Sequence, residues 1–101
     1  MLKDESLVGK TAIVTGGGTG LGKEIARQFL KNWMKVVLVG RDQNKLLKAI
    51  EELKKEMAGV VLEYSLTGIA ADVRDAIAVE TMVQQVKKEY GTIDILVNNA
   101  A

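Results

Sequence analysis

Residues 15–24 read TGGGTGLGKE, with Gly16, Gly17, Gly18, Gly20 and Gly22 packed into seven consecutive positions. A backbone without Cβ atoms can approach a ligand closely, and the N–H groups and dipole of a helix N-terminus favour negative charge. The chemistry that suits such a segment is the holding of a phosphate, provided that the glycines leave a strand and open a helix. A plain flexible turn is the competing reading, and the flanking elements decide between them.

Those elements are legible from hydrophobic periodicity. TAIVTG (11–16) and KVVLVG (35–40) are nearly continuous apolar runs closed by glycine, as expected for strands buried on both faces of a parallel sheet. Between them Leu21, Ile25, Phe29 and Leu30 recur at helical spacing. A second amphipathic helix carries Leu46, Leu47, Ile50, Leu53 and Met57, with Asp42 as its N-cap. GIAADV (68–73) reads as a third strand, and the segment 59–67 as strand, loop or hairpin. Val79, Met82, Val83, Val86 and Tyr90 mark a third helix stopped by Gly91, and IDILVNN (93–99) a fourth strand. Four strands alternating with three helices predict an α/β fold with a parallel sheet in one domain over residues 1–101.

Composition narrows the function classes. Lys plus Arg is 14 and Asp plus Glu 13, without a run of like charge, which argues against nucleic-acid and membrane-surface binding. With neither His nor Cys, disulfides, thiol nucleophiles, imidazole bases and the common zinc ligand sets drop out. No apolar stretch has the length of a signal peptide or a membrane span, so a cytoplasmic protein is expected.

Two phosphate-binding spacings compete within the glycine segment. Gly17 to Lys23 spells G-x-x-x-x-G-K, but a P-loop needs a hydroxyl next to hold Mg²⁺, and Glu24 stands there. The other spacing, T-G-x-x-x-G-x-G over Thr15, Gly16, Gly20 and Gly22, resembles the glycine signature of the short-chain dehydrogenase/reductase family. AADV (70–73) is similar to that family's adenine-binding segment, and NNA (98–100) to its Asn-Asn-Ala-Gly signature. The resemblance implies a Rossmann-type three-layer α/β/α fold, of which this chain would be the N-terminal half of a doubly wound sheet. It implies a dinucleotide held by Gly16, Gly18, Thr19, Gly20, Leu21, Gly22, Asp72, Val73, Asn98 and Ala100. Asp72 would accept from the adenine amino group, and Val73 would pack on the ring. Taken singly, each motif has a bland alternative: Asp72 as a cap, the asparagines as loop satisfiers, Gly22 as a packing glycine.

The choice of dinucleotide rests on the end of the second strand, where a carboxylate suits a ribose 2′-OH and a guanidinium a 2′-phosphate. Family members that prefer NAD carry their acid at the position of Gly40, and Arg41 follows directly, so NADP(H) is expected and NAD(H) is the alternative. Asp42 is either the ribose acid or the helix cap. Thr19 lies where relatives that prefer NADP often carry Lys or Arg.

The family's Ser and Tyr-x-x-x-Lys have no counterpart here, since Tyr64 is followed four residues on by Gly68 and Tyr90 by Asp94. The chain is therefore expected to be the cofactor-binding part of a longer reductase and inactive alone, with an open apolar edge at ILVNN. TGGGTGLGK and DVRD are similar to the 2,4-dienoyl-CoA reductase branch, which implies a small-molecule substrate, either an acyl thioester or another ketone or alcohol. The parent protein would be a homo-oligomer. The rival expectation is a non-catalytic nucleotide-binding fragment that assembles with a partner chain. Where the family usually has Gly-Ala before the second strand, this chain has Trp33 and Met34, so Asn32 is expected to take the left-handed position.

Overall fold

The structure, a computed structural model, describes residues 6–16, 18, 20–59 and 65–99. The described elements run β1 (Thr11–Thr15), α1 (Gly20–Lys31), β2 (Lys35–Gly40), α2 (Gln43–Glu56), β3 (Leu66–Ala70), α3 (Ala76–Tyr90) and β4 (Ile95–Val97). The four strands form one parallel sheet in the order β3-β2-β1-β4. After β1 the chain builds outward through β2 and β3, then returns to the other side of β1. The strand order therefore reverses at the carboxyl ends of β1 and β4, where open α/β sheets bind ligands.

Alternation along the strands sorts the core into two layers. Ala12, Val14, Val36 and Leu38 face α1 and α2, packing on Ala26, Leu30, Leu46, Ala49 and Leu53. Ile13, Val37 and Val39 face α3 and meet Met82 and Val86. Burial of both faces explains why these strands read as unbroken apolar runs. The helix stripes differ from the expectation. Leu21 and Leu47 are exposed, and the buried lines are Gly22, Ala26, Leu30 and Leu46, Ala49, Leu53. Small residues let the helices approach the sheet, and a reading weighted to large apolar side chains misses them.

Side chains set the element ends. Asp42 caps α2, its Oδ1 accepting from the N–H groups of Asn44 and Lys45, and Asp75 caps α3 through Ile77 and Ala78. Gly91, at φ 88, closes α3 as expected. The strand β3 lies earlier than expected, from Leu66, and ends at Ala70 because residues 72–75 close a turn through Asp75 N–H to Asp72 O at 2.9 Å. The strand β4 is shorter than expected. Asp94 Oδ2 takes the Thr11 N–H at 2.9 Å before pairing starts, and Thr15 Oγ1 takes the Asn99 N–H at 2.9 Å after it ends. Of the ambiguous segment 59–67, residues 60–64 lie outside the described residues.

One backbone expectation is overturned. Trp33, and not Asn32, occupies the left-handed region, at φ 61. Asn32 is held back by its Nδ2, which donates to Gln28 O at 2.9 Å. The Trp33 carbonyl is fixed by the Gly9 N–H at 3.0 Å. The turn geometry thus falls on Trp33, which is half exposed and has room for its ring in solvent.

An ion-pair ladder joins the two helices that share a face of the sheet. Lys23 meets Glu52 at 2.5 Å, and Arg27 meets Glu56 at 2.8 Å while also pairing with Glu24 one turn earlier. The hydrogen bond from Lys23 holds the Glu52 carboxyl below its ordinary value of 4.5, and that from Arg27 does the same for Glu56. Both folded-state values are depressed, so the contribution is complete above pH 4.5 and disappears as pH falls through the folded values. Thermal melts should therefore drop more steeply below pH 4.5 for the parent than for Lys23→Ala/Arg27→Ala. Parallel curves would mean that the ladder carries no pH-dependent stability.

Candidate functional site

The carboxyl ends of β1, β2 and β3 enclose a cleft of about 300 Å³ lined by Gly16, Gly18, Val39–Asp42, Lys45, Leu46 and Ala71–Arg74. Its assembly follows from strand pairing. Gly16 N–H donates to Val39 O at 2.8 Å, and Ala71 N–H to Gly40 O at 2.9 Å, which places the glycine turn and the 71–75 turn on either side of the end of β2. Val39, Leu46, Ala71 and Val73 supply apolar surface, while Arg41, Lys45 and Arg74 supply cationic groups. Such a cleft suits a flat ring joined to an anion.

The cleft brings together Gly16, Gly18, Arg41, Asp42, Asp72 and Val73 from the residues singled out in the sequence. Gly20, Leu21 and Gly22 form the first turn of α1, outside the cleft lining. There a Cβ at Gly20 would meet no atom within 4 Å, Leu21 is exposed and Gly22 is buried. Asn98 and Asn99 lie at the seam of β1 and β4, where the Thr15 hydroxyl faces Val97 O and Asn98 Oδ1, each at 3.2 Å, and accepts the Asn99 N–H. Thr19 and Ala100 lie outside the described residues.

The glycines differ in what they do. Gly16 has φ 68, and a Cβ there would stand 3.0 Å from Asn99 O, so its constraint is the close approach of the loop after β4. At Gly18 a Cβ would touch Lys45 Cβ at 3.4 Å, and at Gly40 it would touch Leu46 Cδ2 at the same distance. A Cβ at Gly40 would thus rest in ordinary van der Waals contact with Leu46, next to the exposed Arg41.

The cap expected of Asp42 is present, its Oδ1 engaged by two backbone N–H groups of α2. Asp72 does not cap α3, a task that falls to Asp75. Its carboxylate is instead engaged by Arg74, whose side chain and backbone hydrogen bonds lower its pKa to about 2. Lys45 and Arg74 are the lining residues that sequence reasoning missed. Lys45 was signalled by its place three residues after a helix cap, and Arg74 by its place two residues after Asp72. Tyr90 sits away from this cleft, packed in the α3 layer with its ring 5.9 Å from Lys35 Nζ at the start of β2. Burial pushes its hydroxyl pKa up, the opposite of what an activated proton donor needs.

A parallel sheet with helices on both faces and a cleft beside the point of strand reversal defines a Rossmann-type three-layer α/β/α fold. The short chain dehydrogenase family profile matches residues 10–101, and the chain belongs to that family. It is 43% identical over 89 residues to a (+)-neomenthol dehydrogenase of Arabidopsis thaliana, an alignment that covers 88% of this chain and 29% of the relative. A probable 2,4-dienoyl-CoA reductase of Caenorhabditis elegans is 38% identical over 102 residues, covering 100% of this chain and 31% of the relative. The N-domain of a bacterial malonyl-CoA reductase, solved with NADP, superposes with a TM-score of 0.87 at 35% identity over 97% of this chain and 18% of that one. The chain thus spans less than a third of the length of the two curated relatives.

Proposed function

We propose that this chain forms the cofactor-binding part of an NADP(H)-dependent oxidoreductase. The whole protein would exchange a hydride between the nicotinamide and a carbonyl, an alcohol or an enoyl thioester. The observation that carries the reading is the cleft itself, in which a glycine turn, an apolar slot and Arg41 meet at the carboxyl ends of three adjacent strands. The fit to a dinucleotide is chemical. Gly16 and Gly18 keep side chains out of the cleft mouth, Val39 and Val73 offer surface to a ring, and Arg41 and Lys45 offer charge to phosphate. Bound cofactor would supply the hydride chemistry. The residues of this chain hold and orient it, with Gly20, Leu21 and Gly22 beside its pyrophosphate and Asn98 near its ribose. Thr19 and Ala100 join them on the strength of the family motifs.

NADP(H) is favoured over NAD(H) because the end of β2 has no carboxylate side chain at Gly40. Arg41 stands beside that position and can pair with a 2′-phosphate through two parallel N–H bonds. Calorimetric titration should give NADPH an advantage over NADH of about tenfold or more, as charged hydrogen bonds of this kind supply. Arg41→Ala should erase most of it. Equal affinities in the parent would defeat the NADP(H) assignment. The acyl-thioester reading of the substrate draws on the similarity to a 2,4-dienoyl-CoA reductase, and the alcohol or ketone reading on that to a neomenthol dehydrogenase.

A further inference from the structure

The side chain that contacts Asp72 has no role in the proposed reading. Arg74 bonds Asp72 through three donors: its backbone N–H to Oδ1 at 2.9 Å, its Nε to Oδ1 at 3.1 Å and its Nη2 to Oδ2 at 2.9 Å. A carboxylate offers about four acceptor positions, two on each oxygen. Oδ1 is filled by two donors and Oδ2 by one, so the carboxylate retains one acceptor position, on Oδ2. The planar guanidinium fork also fixes the rotation of the carboxylate plane, which a single hydrogen bond leaves loose. Both residues line the cleft beside the apolar surface of Ala71 and Val73.

We propose that Arg74 is a positioning residue that turns Asp72 into an acceptor with one open position, aimed at the exocyclic amino group of adenine, and so makes the cleft select adenine over 6-oxopurines. The inference rests on the reading of the cleft as a dinucleotide site. A carbonyl oxygen set against that lone pair finds no donor and meets a negative charge, whereas an amino group completes the carboxylate. The carboxyl is ionised through the neutral range with or without Arg74, since even its ordinary value of 3.8 lies well below it, so what the fork contributes is orientation. Without the fork the carboxylate rotates and can swing its oxygens away from the ring edge.

Titration of the parent, Arg74→Ala and Arg74→Lys with NADPH, NADH and nicotinamide hypoxanthine dinucleotide phosphate tests this. Arg74 is 72% exposed at its side chain, so these variants leave the core unchanged. The parent should prefer the adenine cofactor by about tenfold. Both variants should lose most of that preference, Lys included, because it keeps the charge but not the fork. Arg74→Ala added to Asp72→Ala should change nothing further. Retention of the adenine preference by Arg74→Lys would overturn the positioning role. A loss in Arg74→Ala shared equally by NADPH and the hypoxanthine dinucleotide phosphate, with NADH and the adenine preference untouched, would overturn it in favour of a phosphate contact. If the parent binds none of the three, the dinucleotide reading itself falls, an outcome distinct from binding without base selection.

Discussion

Gly16→Ala is expected to lower the unfolding free energy by about 2–3 kcal/mol, the combined cost of a left-handed backbone and an overpacked contact. The first part comes from φ 68, where a Cβ meets its own backbone. The second comes from Asn99, whose carbonyl oxygen and carbon would lie 3.0 and 3.3 Å from the new methyl group. Neither can give way easily, since Asn99 is tied to Thr15 and Gly16 to Val39. Gly20→Ala is the control. With no atom within 4 Å of its Cβ and a place in the first turn of α1, it should be neutral or stabilising by up to about 1 kcal/mol. Urea denaturation of the two variants separates them. If Gly16→Ala unfolds at the parent's midpoint, the close approach of the loop after β4 is wrong. The same pair also separates stability from binding. If the α1 turn approaches a pyrophosphate as proposed, Gly20→Ala should weaken NADPH while leaving the fold intact.

Thr15→Val should cost about 1 kcal/mol, the net value of the hydrogen bond lost from the part-buried Asn99 N–H. The hydroxyl of Thr15, 3% exposed at the end of β1, accepts the Asn99 N–H and offers its one proton to Val97 O or Asn98 Oδ1. One side chain thereby fixes the chain where it leaves β4, on the seam where strand order reverses. Valine keeps the shape and removes all three contacts, whereas Thr15→Ser keeps the hydroxyl and should recover most of the loss. Hydrogen exchange at the Asn99 amide gives the local readout: faster exchange in Thr15→Val, near-parent exchange in Thr15→Ser. Unchanged exchange in the valine variant would show that the seam is held by backbone pairing alone.

The fold class was readable because its signals are periodic. Strands buried on both faces write themselves as TAIVTG and KVVLVG, and the caps Asp42 and Gly91 mark where helices begin and end. The boundaries of β3 and β4 differ from the sequence pattern because a backbone turn over residues 72–75 follows β3 and side chains bound β4. Asp94 and Thr15 replace backbone partners across separations of more than eighty residues, which no local pattern records. Trp33 was misread for a related reason. Propensity disfavours a left-handed tryptophan, but Asn32 is already committed to Gln28, and the Gly9 contact fixes the turn one residue later.

The candidate site divides along the same line. The glycine motif, Arg41 and the Asp72-Val73 pair could be singled out because their residue types imply phosphate and purine chemistry at any place in a strand-turn-helix frame. Their meeting in one cleft depends on parallel pairing, which aligns the ends of β1, β2 and β3. By itself the sequence determined the order of elements, the two-faced burial of the strands and the kinds of group that could hold a nucleotide, since all three are local or periodic properties of the chain. Only the tertiary structure decided that Gly16 answers to Asn99 and that Arg74 engages Asp72. Those assignments depend on distances in space and on which acceptors are already filled.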